Sequence, residues 1–299
     1  MQALLQPPFK ASGRSGPFVA DELAALADSI LDDVAGPTFD VMSAYAQPLA
    51  AGSLATVLGL GEYGLDTMWS WCEGLCADIA NFENDSALAA KGERAKRELG
   101  EAISRRIDEA GDDDSAISVF VRNGATNDEI INNVRLAISG GINEPRDGIG
   151  LVTYVLLTRP DLRQRVEQEP AKLKRLIEET LRVYSPVGTV TRQATQDIRL
   201  GGVTIPAGAL VAGVLRSVNL DESHWSNPRS IDLDRREGPH AAFALGVHRC
   251  LGEWLGRQEI RVGVERLFAR FPDIALVDGA DVDIVGFEFR GPRCLVVAT

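Results

Sequence analysis

The chain has 299 residues, 45% hydrophobic and 25% charged, with 43 acidic against 31 basic side chains for a net charge of −12. That is enough chain for a sizeable core, and the acidic surplus disfavours nucleic acid and anionic membranes as partners, because a phosphate-binding surface concentrates Lys and Arg. No apolar run reaches the ~18 residues of a membrane span, and the N-terminal stretch lacks the apolar core of a secretory signal, which leads to the expectation of a cytoplasmic protein.

In chain order, residues 19–158 read as helix after helix. Segments 21–34, 39–58, 64–81, 86–110 and Ala116–Arg122 carry apolar residues three and four apart, and Gly36-Pro37 and the stretch 59–64 punctuate them. Thr126 and Glu129 match a capping box, in which each satisfies the other's backbone donor. It opens a long helix running to Thr158, where Arg159-Pro160 ends it. Helices over 160–167 and 170–184 follow. Past Pro186 come short strands at 189–194, Ile198–Leu200, 203–204 and Leu210–Val214, with turns at Gly201-Gly202 and Pro206-Ala207-Gly208. Residues 221–249 are irregular, a last helix spans 252–270, and strand pieces including 293–298 close the chain. The fold class is α+β, mainly α with small β-sheets, in a single domain over 1–299. Its helical part covers 1–186 and its loop and strand part 187–299.

Within the long helix, Gly140-Gly141-Ile142-Asn143-Glu144-Pro145 is costly, at about 1 kcal/mol per glycine and about 3 for the proline. Pro145 offers no N–H to the Gly141 carbonyl. A kink or opening is predicted there, giving a groove beside residues without side chains; a kink that serves packing alone is the plainer alternative.

Four cysteines, Cys72, Cys76, Cys250 and Cys294, are too few for a disulfide framework. Cys72 and Cys76 share a helix face and read as small buried apolar residues. Cys250 stands in Phe243-Ala-Leu-Gly246-Val-His248-Arg-Cys250-Leu-Gly252. The glycines allow tight turns and close approach to a flat macrocycle, while amides at the start of the final helix favour a thiolate. Taken alone, such a residue also fits a buried structural thiol in a Gly-rich turn. Glu179 and Arg182, three apart, meet on one helix face, a pair that by itself carries little weight.

Together these segments resemble the bacterial cytochrome P450 family of haem-thiolate monooxygenases. The resemblance implies haem b bound through the Cys250 thiolate, which would help cleave an O–O bond. It implies that Arg192 and His248 hold the propionates, that Phe243, Gly246 and Gly252 shape the loop, and that Glu179 and Arg182 form a buried pair. Ser230 stands near the place of the arginine that often completes this pair as a triad. Where the family has an acid and then a threonine at its oxygen groove, this chain has Asn143 and Glu144 beside Gly141. Glu144 with Asn143 is therefore the candidate proton relay, provided burial raises the Glu144 pKa. Residues 286–292, with Val187, Val190, Ile138 and Ile142, would line a small apolar pocket.

Residues 1–9 resemble the end of a helix that crosses one haem edge. The family's N-terminal β-rich part and first helices then lack a counterpart. Three explanations stand: a gene-model truncation, a partner chain that supplies the rest, or a real loss. The expected function is insertion of one oxygen atom from O₂ into a small organic substrate, an aromatic being suitable. No flavin or iron–sulfur module follows Thr299, which calls for electrons from a separate ferredoxin or flavodoxin-type donor. The alternatives are a non-catalytic haem-binding or haem-free remnant and a peroxide-driven peroxygenase.

Overall fold

The computed structural model describes residues 6–277, 279 and 281–299. Residues 1–5 lie outside the described residues, and with them most of the stretch likened to a haem-crossing helix; Pro7–Phe9 form one 3-10 turn.

The predicted helix over 21–34 is found as α2 (Leu23–Asp32), and a short helix not predicted from the periodicity, α1 (Ser15–Asp21), precedes it. They meet at Glu22, whose carboxylate Arg14 holds at 2.8 Å. The predicted helix over 39–58 is also corrected. Its first residues form strand β1 (Thr38–Asp40), a π-helical turn follows at Met42–Ala46, and α3 spans Gln47–Leu58. The cause is distant in sequence. Thr38, Phe39 and Asp40 pair with Ala298, Val297 and Val296, and the Asp40 carboxylate accepts from the amides of Met42 and Leu295. Helical spacing cannot report a strand partner at the other end of the chain.

The next helices follow their periodicity closely: α4 (Leu65–Ile79), α5 (Ser86–Asp108), α6 (Ala116–Arg122), α7 (Asn127–Thr158), α8 (Pro160–Gln168) and α9 (Leu173–Tyr184). The capping box of α7 is formed from both sides, Thr126 to Glu129 and back. α7 runs unbroken through Pro145, against the predicted opening. It packs on α3, α4, α5 and α9, and later on the last helix. Packing on so many faces outweighs the local cost of one proline and two glycines.

Beyond α9 come β2 (Thr189–Gln193), β3 (Ile198–Leu200), β4 (Val203–Ile205), β5 (Leu210–Val214), the short α10 (Leu215–Asn219) and the last long helix α11 (Glu253–Arg270). Strands β6 (Ala275–Leu276), β7 (Ile284–Val285), β8 (Gly291–Pro292) and β9 (Val296–Ala298) end the chain. All pairing is antiparallel: β2 with β5, β3 with β4, β7 with β8, and β9 between β1 and β6. The molecule is thus mostly helical with small sheets. One apolar core surrounds α7, with Leu49, Leu54, Ile138, Ile142, Ile149 and Val152 fully or nearly fully buried. No helix is long and apolar enough to cross a membrane, among the described residues.

Candidate functional site

Cys250 sits where an irregular segment meets α11. Its amide donates to the Phe243 carbonyl at 2.8 Å and closes the loop. Inside the loop Gly246 adopts φ +68°, in the left-handed region where a side chain is strained. The loop's outer residues are open: Leu245 is 54% and Val247 81% exposed. Cys250 itself is reachable by solvent. The protein packed around its thiol nonetheless pushes the pKa up to about 11, against a hydrogen bond from the Gly252 amide, and the Glu144 charge adds to the rise.

Behind the loop lies a buried ionic cluster. Arg182, fully buried, donates from Nε and Nη2 to the two Glu179 oxygens at 2.8 and 2.9 Å. It also donates to the carbonyls of Asn219, Pro228 and Ser230. The third member is Arg235, whose Nε donates to Glu179 at 2.8 Å. This corrects the expectation that Ser230 takes that place, since Ser230 gives the cluster only its carbonyl oxygen. Arg182 and Arg235 also lie over the Trp225 ring, at 5.0 and 5.9 Å from its centroid. Burial pushes the Glu179 carboxyl up, but hydrogen bonds from Arg182, the Asp232 amide and Arg235 bring it below its ordinary value.

On the other side, α7 presents its Gly-Gly segment. The two glycines do different work. A side chain on Gly141 would press on Leu54 at 3.0 Å, so Gly141 lets α3 approach; a side chain on Gly140 would meet Glu144 Oε1 at 3.4 Å. Gly141 therefore allows the close approach of α3, while Gly140 lies beside the Glu144 carboxylate. Glu144 Oε2 is buried with no hydrogen-bond partner. Burial, helped by the Cys76 and Asp147 charges, raises the Glu144 pKa well above the carboxylate range. Asn143 is buried and turned along the helix, its Nδ2 lying 3.4 Å from Asp147 Oδ2. Asp147, which the sequence motif contained without a role, is pushed up to about 6 by burial despite its 2.7 Å bond from Arg146. Cys72 and Cys76 lie 4.0 Å apart in the interior and both face the Ser139 carbonyl. Ile138 and Ile142 are fully buried in the core, so neither lines an open pocket.

Arg192 and His248 are both exposed, and among the described residues neither is paired with a carboxylate. The turn before β8 reaches the chain after α9. Gly188 donates to the Glu288 carbonyl and Arg290 to the Pro186 carbonyl, both at 2.8 Å, while Phe287 is 68% exposed.

The family profile described as Cytochrome P450 matches residues 122–276, just over half of the chain. The chain belongs to the cytochrome P450 family. Among similar proteins, cytochrome P450 FAS1 of Rhodococcoides fascians is 32% identical over 87% of this chain and 65% of its own length. The steroid C26-monooxygenase of Mycolicibacterium smegmatis is 30% identical over 93% of this chain and 71% of its own. This P450 chain thus spans about two thirds of the length of the curated relatives it matches. The ligand-free structure of cytochrome P450 TbtJ1 superposes with a TM-score of 0.88 at 27% identity, covering 99% of this chain and 80% of that one.

The family's cofactor is haem b, held by a cysteine thiolate. The residues present fit it. An accessible thiol, apolar loop residues open to solvent, an exposed guanidinium and imidazole without carboxylate partners, and an orphaned buried carboxyl oxygen are what a flat, two-carboxylate macrocycle would cover or engage.

Proposed function

We propose that this chain forms the greater part of a haem-thiolate monooxygenase that inserts one oxygen atom from O₂ into a small organic substrate. Cys250 would be the iron ligand, with Arg192 and His248 as donors to the propionates and Phe243, Gly246 and Gly252 shaping the loop. Haem b, when bound, supplies the O–O bond cleavage that hydroxylation needs. Glu144 keeps a proton at pH values where ordinary carboxyls have lost theirs, which suits it to act as a proton donor. Asn143, bonded to Asp147, holds the next titrating carboxyl one helical turn away. The exposed Phe287 beside Gly188 suits an apolar or aromatic substrate. Electrons would come from a separate ferredoxin or flavodoxin-type donor.

The observation that carries this reading is the solvent-accessible Cys250 within hydrogen-bond reach of the Gly252 amide, at the start of α11. The test is the spectrum of the reduced, CO-bound, haem-loaded protein. A red-shifted, thiolate-type Soret band that disappears in Cys250→Ser supports it; no haem uptake, or a histidine-type band, overturns it. Turnover with peroxide and no reductase would move the oxidant assignment from O₂ to peroxide.

A further inference from the structure

Within the Cys250 loop, Arg249 donates from Nε and Nη2 to the two oxygens of Glu253 on α11, at 2.7 and 2.9 Å. Residues 245–250 are exposed, and the hydrogen bond from Cys250 to Phe243 lies at the loop's base. Further attachments act at its ends. We propose that Glu178 is a positioning residue for this loop, fastening both ends of it to α9 through Arg257 and His240; the proposal rests on the haem-thiolate reading above for its consequence, not for its geometry.

Arg257, in α11 beyond the cysteine, donates from Nε and Nη2 to the two Glu178 oxygens at 2.7 and 3.1 Å. Its guanidinium carbon lies 4.1 Å from the centroid of the Phe243 ring, against 5.0 to 5.9 Å for the other such pairs among the described residues. The fork of donors that reads the carboxylate and the flat face that stacks on the ring belong to one planar group, which a lysine cannot reproduce. From the other end, His240 Nε2 is 3.2 Å from Glu178 Oε2. The Ala242 amide donates to His240 Nδ1 at 3.1 Å, so Nε2 carries the hydrogen and donates to Glu178. One carboxylate therefore ties together the residue before the loop, the ring at its base and the helix after it.

Adjacent residues on α9 divide the labour. Glu179 serves Arg182 and Arg235, while Glu178 serves Arg257 and His240. Burial pushes the Glu178 carboxyl up, yet the bonds from His240 and Arg257 bring it down to about 2, the behaviour of a charge held firmly in place. Glu253 also pairs with Arg257 at 2.9 Å and holds Arg249 of the loop, but it sits on α11 itself, so the direct link to α9 is Glu178.

The test has one arm without haem and one with it. In the haem-free full chain, Glu178→Gln and Arg257→Gln should speed hydrogen exchange of the Cys250 amide and the loop amides roughly tenfold or more. Arg257→Lys, which keeps the charge and loses the fork, should give an intermediate rate and stays informative if a neutral variant folds poorly. Arg261→Gln breaks a pair with Glu265 and bonds to Gln258, all within the same helix, and should leave the loop amides unchanged. In the haem-loaded protein, Glu178→Gln should convert the reduced CO complex from the thiolate-type to a non-thiolate band roughly tenfold faster and displace the midpoint potential. Folded Glu178→Gln and Arg257→Gln proteins with wild-type exchange across residues 243–250 would sink the proposal. A wild-type protein that lacks the thiolate band would instead overturn the haem reading, and leaves the exchange result to decide the anchoring.

Discussion

Arg235 donates to Glu179 across 56 residues of sequence, its Nε 2.8 Å from Oε2 in a site where Glu179 is 6% and Arg235 8% exposed. This bond completes a three-residue cluster that joins α9 to the irregular segment leading to the cysteine loop. Removing one partner of such a cluster strands the others. Arg235→Ala is expected to cost about 3–5 kcal/mol, seen as a lower thermal midpoint and weaker haem retention. Ser230→Ala keeps the carbonyl that both arginines use and should shift the midpoint by less than about 0.5 kcal/mol equivalent.

Glu144 offers a prediction with opposite signs in two assays. Its carboxyl is buried without a partner at Oε2 and titrates well above the ordinary range. A raised carboxyl pKa means the folded state keeps a proton that the unfolded chain releases, so stability falls as pH rises from the ordinary carboxylate value toward the folded one. Glu144→Gln removes that loss and should raise the thermal midpoint at neutral pH. If Glu144 delivers protons, the same variant should lower product formation roughly a hundredfold, with the CO spectrum unchanged.

Glu259 shows the same physics away from the site. It is 1% exposed on α11, and burial pushes its carboxyl up to about 8, with the Ser53 hydroxyl opposing. Below its unfolded pKa near 4.3 the group adds no pH-dependent cost; between there and about 8 each pH unit removes up to about 1.4 kcal/mol. Melting curves of Glu259→Gln from pH 5 to 8 should therefore fall less steeply than those of the wild type. Parallel curves would show that the carboxyl ionises freely in the folded protein.

Gly188 tests the approach of two distant segments. A Cβ here would lie on the Phe287 carbonyl oxygen, a backbone atom that cannot swing aside. Gly188→Ala should cost about 1–3 kcal/mol and weaken the bonds from Gly188 to Glu288 and from Arg290 to Pro186. Denaturant titration measures the cost, and hydrogen exchange at Gly188 and Arg290 locates it.

Much of this was legible because the signals were local. The capping box at Thr126 and Glu129 needs only four consecutive residues, and α6 was readable to the residue because its Ser115 cap and apolar spacing lie together. The cysteine loop was legible as a pattern, and so was Glu144 as a carboxyl whose behaviour depends on burial. Other features were not readable. β1 hides inside a helical rhythm because its partner is β9, at the chain's far end. Arg235 could not be told from neighbouring arginines such as Arg229 and Arg236, since only folding brings it to Glu179. Gly140 and Gly141 differ by which neighbour each faces, Glu144 or Leu54, and sequence carries no such direction.

By itself, then, the sequence determined what acts over a turn or two of chain: the helices and their caps, the family pattern around Cys250, and a carboxyl beside two glycines within one long helix. The tertiary structure alone decided which charges are buried together, because burial and pairing depend on elements remote in sequence. It completed the Glu179 cluster with Arg235 and kept α7 continuous through Pro145. It also left Glu144 Oε2 without a partner and set Arg257 between Glu178 and Phe243, where one guanidinium reaches both the helix behind Cys250 and the loop that holds it.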